Sequence, residues 1–227
     1  MKVVEIFKSI DGEGKRTGRP AIFIRLAGCN LRCCYCDTTY SFDCSKAKEM
    51  GIEEIVDECN KLNCKLITLT GGEPLIHKDA DKLIQRLSIE GYEINVETNG
   101  SVDLKKFIED RRKYNLNVFF TVDYKVLSSG MNDKMDSFAF EYLDYNKDIV
   151  KCVVGSKEDM DDALVYLDKI VERNRFKFLK FNIWFSPIFG KIEPKDIVEY
   201  VLESGRDDIT VQVQLHKIIW DPDKRGV

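Results

Sequence analysis

The stretch AGCNLRCCYCD, residues 27–37, contains a C-x₃-C-x₂-C spacing formed by Cys29, Cys33 and Cys36, directly after a candidate strand. Thiolates are the ligands of iron–sulfur clusters, and three ligands on a four-iron cluster leave one iron open to bind another molecule. A structural zinc site is the alternative, but it normally needs four ligands in two separated pairs, and both histidines lie far away in the sequence. Adjacent cysteines rarely bind one cluster with good geometry, so Cys34 is interpreted as a bystander. The spacing favours a [4Fe–4S] cluster.

Composition places the chain among ordinary globular proteins. Its 227 residues suffice for one domain, and the net charge of −4 argues against general binding to nucleic acid or anionic membranes. Glu5 and Lys8 interrupt the N-terminal segment before any apolar signal core, and no run approaches the ~18 apolar residues of a membrane-spanning helix. Four of the eight cysteines fall within residues 29–36, which indicates metal or redox chemistry rather than disulfides. We expect a cytoplasmic protein.

Apolar, β-branched runs alternate with segments of helical period along the chain. The predicted strands are Val3–Phe7, Ala21–Leu26, Leu66–Thr70, Ile94–Thr98, Val118–Val122, Ile149–Val154, Phe178–Phe185 and Thr210–Gln214. The predicted helices are Ile52–Leu62, Ala80–Glu90, Leu104–Tyr114, a helix after Ser156 with Asp159 in a capping box, and Lys195–Glu203 with Pro194 in its first turn. This alternation predicts βαβ units around a parallel sheet, with right-handed crossovers. No linker divides the chain, so we expect a single α/β domain over residues 1–227.

Short motifs follow several of these strands: TGGEP at residues 70–74, ETNG at 97–100, DYK at 123–125 and SPIFG at 186–190. Taken alone, such motifs are also typical of plain turns and glycine-containing loops. Together with the cysteine triad they resemble the motifs of the radical S-adenosylmethionine (SAM) superfamily, which implies an incomplete (β/α) barrel open at one side. The resemblance also implies that the open iron chelates the amino and carboxylate groups of SAM. An electron then cleaves SAM to a 5′-deoxyadenosyl radical.

The same resemblance implies individual SAM contacts. Tyr35 is expected beside the adenine and Glu73 at the SAM amino group. Only Lys125 matches a Ser-Pro-Lys stretch of related proteins, so Asp123 and Tyr124 mark a departure. The implied SAM contacts are Tyr35, Cys36, Asp37, Gly71, Gly72, Glu73, Glu97, Asn99, Asp123, Tyr124, Lys125, Ser186, Pro187, Ile188 and Phe189.

The two ends of the chain narrow the resemblance. Residues 5–14 read EIFKSIDGEG, residues 17–29 read TGRPAIFIRLAGC and residues 214–220 read QLHKIIW. These segments resemble the 7-carboxy-7-deazaguanine synthase family, with Asp11 in place of the usual glutamine. The resemblance implies a lyase of queuosine (7-deazapurine) biosynthesis that converts 6-carboxy-5,6,7,8-tetrahydropterin into 7-carboxy-7-deazaguanine and ammonia. It further implies that Mg²⁺ assists and that SAM is regenerated.

The family resemblance also implies a substrate site. Arg25 matches an arginine that binds the substrate carboxylate, a group that a guanidinium can bind through a bidentate pair. Thr38 matches a Mg²⁺ ligand, and its hydroxyl is a hard oxygen donor. The implied substrate contacts are Ile10, Asp11, Gly12, Glu13, Arg25, Thr70, His216 and Pro222. Each of three residues has a structural alternative: a surface charge at Arg25, a turn hydroxyl at Thr38 and a packed imidazole at His216. The tail after Pro222 either folds over the pocket or frays.

Two other functions fit parts of the pattern. A glycyl-radical-enzyme activase shares the cysteine spacing and the small size, but it acts on a protein and would need an open face rather than a pterin pocket. A non-enzymatic iron–sulfur protein would need no GGEP motif and usually has a fourth ligand. From the family we expect a homodimer that takes electrons from a flavodoxin or ferredoxin, and the choice among Mg²⁺, Mn²⁺ and Na⁺ stays open.

Overall fold

The computed structural model of the chain describes residues 1–135, 137–175, 179–222 and 224–227. Its strands are β1 (Lys2–Ile10), β2 (Pro20–Leu26), β3 (Lys48–Glu49), β4 (Leu66–Gly71), β5 (Glu93–Thr98), β6 (Val118–Tyr124), β7 (Ile149–Val154), β8 (Ile183–Pro187) and β9 (Ile209–Val211). Its helices are α1 (Ile52–Asn60), α2 (Ala80–Ile89), α3 (Lys105–Lys113), α4 (Lys157–Arg173), α5 (Pro194–Ser204) and α6 (Leu215–Ile219). No helix of this part of the chain is both long and apolar enough to cross a membrane.

The described strands form one sheet with the order β3-β1-β2-β4-β5-β6-β7-β8-β9. β1 is antiparallel to β2 and β3, and every other neighbouring pair is parallel. From β4 onward each strand joins the sheet beside its predecessor, and right-handed crossovers place the intervening helices on one face. This order is that of a barrel. No described strand joins β9 to β3, so the barrel is incomplete, which confirms the predicted fold class.

Alternation along the strands separates an apolar outer face from a polar inner face. On β2, Ile22, Ile24 and Leu26 are fully buried and belong to one hydrophobic core with residues of the helices, such as Ile55 of α1 and Leu83 of α2. The thiols of Cys59 and Cys152 are also fully buried. The helices therefore cover the outer face, and the inner face is left for polar groups.

The predicted elements occur in the structure with shifted ends. Phe178 lies outside the described residues, and the strand that was expected from it begins only at Ile183, because the ladder with β7 starts there and continues to Pro187. The last strand ends at Val211 rather than Gln214. The Gln212 backbone still donates to Phe185 O at 3.0 Å, and its side chain accepts a hydrogen bond from Gly14 N at 2.8 Å. β3 and α6 were not predicted.

The start of α4 shows half of the predicted capping box. Ser156 accepts a hydrogen bond from Asp159 N, as expected of an N-cap. The Asp159 carboxylate does not return to Ser156 but accepts from Gly155 N at 2.7 Å and from Ser128 N at 2.9 Å. Asp159 therefore ties the helix start to the loop after β6. Pro194 occupies the first turn of α5, as predicted.

Candidate active site

One cavity of about 770 Å³ lies on the inner face of the sheet. Its volume is within the range of about 300–1,000 Å³ that small-molecule sites occupy. The loops that follow the parallel strands form its rim, and residues 11–13 after β1 form its floor. Five neighbouring parallel strands each contribute at least one polar side chain to the wall: Arg25, Thr70, Glu97, Asp123 and Lys151.

The cysteine loop, residues 27–38, leads from the end of β2 along the cavity. Cys29, Cys33 and Cys36 all line the cavity, and none is in a disulfide. Burial raises the pKa of the Cys33 thiol to about 11 and that of Cys36 above its usual value, so a metal's charge is needed to make them thiolates. Within the described ranges, no three His, Cys, Asp or Glu side chains converge on a single metal ion. The ligands of a four-iron cluster bind separate irons and need not converge on one point.

Two residues between the ligands differ in orientation. Cys34 is exposed, and its Sγ donates to Ser128 O over 2.8 Å, which agrees with a bystander. Tyr35 lines the cavity, and its buried Oη has no hydrogen-bond partner in the part of the chain that is described. Leaving a buried hydroxyl unpaired costs free energy, so this group is available to a bound ligand.

Two glycines allow the loop after β4 to touch the cysteine loop. A Cβ on Gly72 would lie 2.1 Å from Gly28 O and 2.8 Å from Cys29 Cβ. Gly71 has a φ of +152°, and a Cβ there would lie 2.2 Å from Leu26 O. Any side chain at these positions would push the two loops apart. The glycines and the three cysteines therefore form a cradle that fits an iron–sulfur cluster with SAM beside it.

Glu73 lies behind the cavity wall. Its Oε1 accepts from Leu75 N and Thr98 Oγ1, both at 2.9 Å, and its Oε2 accepts from Asn99 N at 2.6 Å. Burial raises the pKa of Glu73 to about 7, although these donors oppose that effect. Asn99 in turn donates its side-chain amide to Cys29 Sγ over 3.6 Å. Glu73 thus shapes the turn that reaches the cysteine, and its expected contact with SAM stays a prediction.

The cavity floor contains a buried ion pair. Asp11 Oδ2 lies 2.8 Å from Arg16 Nε, and Asp11 Oδ1 accepts from Thr68 Oγ1 at 2.6 Å. Arg16 is only 3% exposed, and its guanidinium lies over the Phe119 ring. Burial raises the pKa of the Asp11 carboxyl to about 6, while Arg16 and Thr68 counteract this effect. The residue that departs from the family's glutamine is therefore held by a cation that was not predicted.

Alternating charges follow the wall from the rim to the floor. Asp123 Oδ2 lies 2.9 Å from Lys125 Nζ and 3.6 Å from Lys151 Nζ, and Lys151 Nζ also lies 3.3 Å from Glu13 Oε2. Ser186 Oγ donates to Glu13 Oε1 at 3.1 Å. Burial by itself lowers the pKa of each lysine, but the nearby carboxylates raise both pKa values above the usual one. Both lysines are therefore charged at neutral pH.

Arg25 is held at the cavity side by β1. Its Nε donates to Glu5 Oε1 at 2.7 Å, and Tyr40 Oη donates to the same oxygen at 3.0 Å. Its two terminal nitrogens have no hydrogen-bond partner among the described residues. Burial raises the pKa of Tyr40 to about 12, so the phenol keeps its proton. Arg25 therefore presents two free N–H-bearing nitrogens, as an oxyanion ligand requires, and is not a simple surface charge.

The two ends of the chain meet at the cavity. A Cβ on Gly12 would lie only 2.5 Å from His216 Nδ1, so a glycine is required at this contact. Leu215 N donates to Gly12 O at 3.1 Å and fixes the start of α6 there. Burial lowers the pKa of His216, and the nearby Glu13 carboxylate opposes that shift. His216 is thus a half-buried cavity residue and not a packed core imidazole.

The tail follows the cavity rather than leaving it. Lys217 Nζ donates to Pro222 O at 2.9 Å and pairs with Asp37 Oδ2 at 3.3 Å. Residues 224–227 line the cavity, and the Arg225 guanidinium lies 4.0 Å from the centre of the Tyr40 ring. Asp223 lies outside the described residues. Of the two alternatives for the tail, folding over the pocket is the one that the described residues adopt.

Most predicted site residues line this cavity, but the side chains of four do not: Glu73, Tyr124, Ser186 and Pro187. Strand alternation explains two of them, because Asp123 and Ser186 face inward and their successors Tyr124 and Pro187 face the helices. Tyr124 Oη donates to Asp162 Oδ2 at 2.9 Å on that outer side. Ser186 lies on the inner face but is fully buried, because its hydroxyl donates to Glu13, which lines the cavity in front of it. The SAM contacts predicted for these four residues therefore stay predictions.

Sequence reasoning missed the groups that orient the predicted residues: Arg16, Tyr40, Lys151 and Lys217. A signal existed for Lys151, because a lone charge within the apolar run IVKCVV is unusual for a strand buried on both faces. The other three lie in loops or a short helix, where their partners depend on the tertiary fold.

Comparison with known proteins first defines the class. Residues 23–135 match the model of the radical SAM superfamily. The crystal structure of QueE from Escherichia coli has the same fold, with a TM-score of 0.70 and 24% identity over 93% of both chains. Streptococcus suis SuiB also has it, with a TM-score of 0.56 and 13% identity over 88% of this chain and 51% of that one. The fold and the cysteine cradle are those of a radical SAM protein with a [4Fe–4S] cluster and SAM as cofactors.

The particular family follows from closer relatives. The 7-carboxy-7-deazaguanine synthase of Clostridium acetobutylicum is 42% identical over 228 residues, which cover 100% of this chain and 99% of that protein. The enzyme of the same name from Koribacter versatilis is 33% identical over the full length of both. The chain belongs to the 7-carboxy-7-deazaguanine synthase family.

Proposed function

We propose that this protein converts 6-carboxy-5,6,7,8-tetrahydropterin into 7-carboxy-7-deazaguanine and ammonia, as a radical SAM lyase of queuosine biosynthesis. The observation that carries the proposal is that one cavity joins the cysteine cradle to Arg25, Glu13 and His216. The cysteine cradle suits a cluster with SAM. Arg25, Glu13 and His216 suit a small, carboxylated, nitrogen-rich molecule. When bound, the cluster and SAM supply a radical that removes a hydrogen atom from the substrate.

The chain's own residues bind and orient the substrate. The terminal nitrogens of Arg25 are the donors for its carboxylate, and Glu5 fixes the guanidinium plane through Nε. Glu97 lines the cavity, and its carboxylate has no hydrogen bond or ion pair within the described ranges. This carboxylate accepts N–H donors of a bound ligand, which we assign to SAM. His216 and Glu13 complete the substrate side next to Gly12.

A magnesium ion fits beside the cysteine loop. Thr38 and Asp37 line the cavity together, and Thr38 Oγ1 donates to Asp37 Oδ1 at 2.8 Å. Mg²⁺ prefers oxygen ligands and keeps several waters, so one hydroxyl together with substrate oxygens suffices. We propose Thr38 as the protein ligand, with Asp37 as the acceptor that orients the hydroxyl. Titration with Mg²⁺, Mn²⁺ and Na⁺ during turnover tests the choice of metal.

The activase alternative fits the structure less well. An enzyme acting on a protein needs an open face to admit a polypeptide, whereas the tail after Pro222 and α6 crowd the cavity here. A sensor or electron carrier usually has a fourth cluster ligand, and the extra thiol adjacent in sequence, that of Cys34, is hydrogen-bonded to Ser128 O. Both observations favour the small-molecule lyase.

The cellular partners are part of the proposal. We propose that the protein is a cytoplasmic homodimer that takes electrons from a flavodoxin or ferredoxin. Each chain forms one domain, residues 1–227, whose C-terminal segment caps the substrate. All eight cysteines are free, as expected in a reducing compartment. Sedimentation of the cluster-loaded protein tests the dimer, and replacing dithionite by each reduced carrier tests the electron donor.

The decisive experiment is anaerobic reconstitution followed by incubation with SAM, a reductant and the carboxytetrahydropterin, with detection of products by mass spectrometry. The expected products are 7-carboxy-7-deazaguanine and ammonia. Intact SAM cleavage without any deazaguanine would overturn the assigned substrate. A cluster-loaded protein that never cleaves SAM would overturn the radical SAM function itself.

A further inference from the structure

Lys151 is a buried cation in the middle of β7. Its side chain is 10% exposed and lies on the cavity side of the strand, between the outward-facing Val150 and Cys152. Its ammonium lies 3.3 Å from Glu13 Oε2 and 3.6 Å from Asp123 Oδ2. One nitrogen atom therefore bridges two carboxylates that come from different parts of the fold.

We propose that Lys151 is a positioning residue that couples the two halves of the cavity, by holding Glu13 on the substrate side and Asp123 on the SAM side. The proposal rests on the proposed function, which assigns these sides. No contact between Lys151 and a ligand is required, because the lysine acts through its two carboxylate partners.

On the substrate side, Glu13 depends on Lys151 for its orientation. Glu13 lies outside the strands, in an extended conformation just before a single 3₁₀ turn. Because no sheet ladder holds the backbone there, the position of its carboxylate depends on side-chain partners. Ser186 holds Oε1 at 3.1 Å and Lys151 holds Oε2 at 3.3 Å. Without the ammonium the carboxylate has one anchor and can rotate about it.

On the SAM side, Asp123 is held differently. Its Oδ2 lies 2.9 Å from Lys125 Nζ and 3.6 Å from Lys151 Nζ, whereas its Oδ1 is buried without a hydrogen-bond partner in the described part of the chain. The two lysines thus fix one oxygen and leave the other for a donor from a bound ligand. A buried, unpaired carboxylate oxygen is costly, so a ligand that supplies the donor gains affinity.

The charges of this row balance only when Lys151 is present. Lys125, Asp123, Lys151 and Glu13 alternate in sign and are all at most 14% exposed. Removing the Lys151 charge leaves Asp123 and Glu13 facing each other across the vacated space. Breaking a buried pair by deleting one partner leaves an uncompensated buried charge, which displaces or protonates one of the carboxylates. Both sides of the cavity are then disturbed by one substitution.

Double-mutant cycles test this coupling in the cluster-loaded protein. The variants are Lys151→Met, Lys151→Arg, Glu13→Gln, Asp123→Asn and the two doubles that combine Lys151→Met with each carboxylate change. The first readout is the SAM dissociation constant, measured by equilibrium dialysis without reductant so that no turnover occurs. The second is the KM for the carboxytetrahydropterin.

We expect Lys151→Met to raise both constants by about tenfold or more, because a close charge pair is lost on each side. In the Asp123→Asn background it should change the SAM constant by less than about threefold, and in the Glu13→Gln background it should change KM by less than about threefold. Lys151→Arg, which keeps the charge, should recover most of the wild-type behaviour. If Lys151→Met raises each constant by the same factor in both carboxylate variants as it does in the wild type, the proposal is overturned.

Two controls separate this result from misfolding and from a wrong function. Lys169→Met removes an exposed lysine of α4 and should leave both constants unchanged. If Lys151→Met does not fold, the question is decided by the SAM constants of two other variants: Lys151→Arg, and the Lys151→Met/Glu13→Gln double, which relieves the charge imbalance. If the wild type cleaves SAM but forms no deazaguanine, the proposed function fails, and the Asp123 cycle on SAM binding still decides the role of Lys151.

Discussion

The contact between the glycine loop and the cysteine loop can be tested by replacing Gly72 with alanine. A Cβ at this position would lie 2.1 Å from Gly28 O, whereas ordinary contact begins at 3.4 Å. The shortfall is about 1.3 Å, the difference between these two distances. Both partners are backbone or near-backbone atoms, so no flexible side chain can absorb the displacement, and Cys29 must move away from the other ligands.

The size of the effect follows from this displacement. Overpacking a close contact costs about 1–3 kcal/mol of unfolding free energy. For a chain of this length each kcal/mol corresponds to a change of about 2–4 °C in the melting temperature, so we expect a loss of about 2–12 °C. The cluster should suffer more than the fold, because its ligands must keep fixed separations. We expect the iron and sulfide content after anaerobic reconstitution to fall below half of the wild-type value.

Gly51→Ala is the matched control. Gly51 has a φ of −73°, and a Cβ there would meet only the end of the Glu54 side chain, at 3.4 Å. This variant should melt and load iron as the wild type does. Gly72→Ala with wild-type iron content and an unchanged melting temperature would refute the reasoning, because the two loops would then have room that the structure does not show.

Three further predictions concern single side chains. Arg25→Lys should raise the KM for the carboxytetrahydropterin by about tenfold while leaving the SAM constant within about twofold, because an ammonium cannot form the bidentate pair; equal losses in both constants would contradict the assignment. Asp11→Asn should flatten the pH dependence of the melting temperature, because the pKa of Asp11 is raised from 3.8 to about 6 and the folded state therefore holds a proton that the unfolded chain loses in that interval. The stability of the wild type should therefore fall as pH rises from about 4 to 6. An equal change of melting temperature with pH in the wild type and in Asp11→Asn would argue against this. Asp148→Ala should lower the unfolding free energy by about 3–5 kcal/mol in urea titrations with an unchanged SAM constant, because Asp148 and Arg111 form a buried pair at 2.6 and 3.0 Å outside the cavity; an unchanged midpoint would contradict it.

Much of the architecture could be predicted from the sequence because its signals are local. Short apolar, β-branched runs identify β2, β5 and β7 nearly to the residue. Strands in the interior of a parallel sheet are typically rich in such residues. Strand ends were harder to predict. β9 ends at Val211, and the side chain of the next residue, Gln212, bonds to Gly14 from the other end of the chain, a contact that no short window contains.

The face on which a residue lies could not be predicted from the motifs alone. The motif DYK suggested three SAM contacts, but successive side chains of a strand point to opposite faces. Asp123 therefore lines the cavity and Tyr124 packs behind it against α4, where it bonds to Asp162. The family resemblance implies a SAM contact at Glu73, and only the tertiary structure shows that its carboxylate also accepts from Leu75 N and Asn99 N.

The sequence by itself predicts the cluster ligands and determined the class of chemistry. Cys29, Cys33 and Cys36 lie within eight residues, so their covalent spacing alone predicts the ligand set. Tertiary structure alone decided which groups meet across the cavity: Gly12 with His216, Asp11 with Arg16, and Lys151 with two carboxylates. The physical reason is that a charge or a histidine is placed by the partners that offset its burial, and here those partners come from distant strands and from the opposite end of the chain.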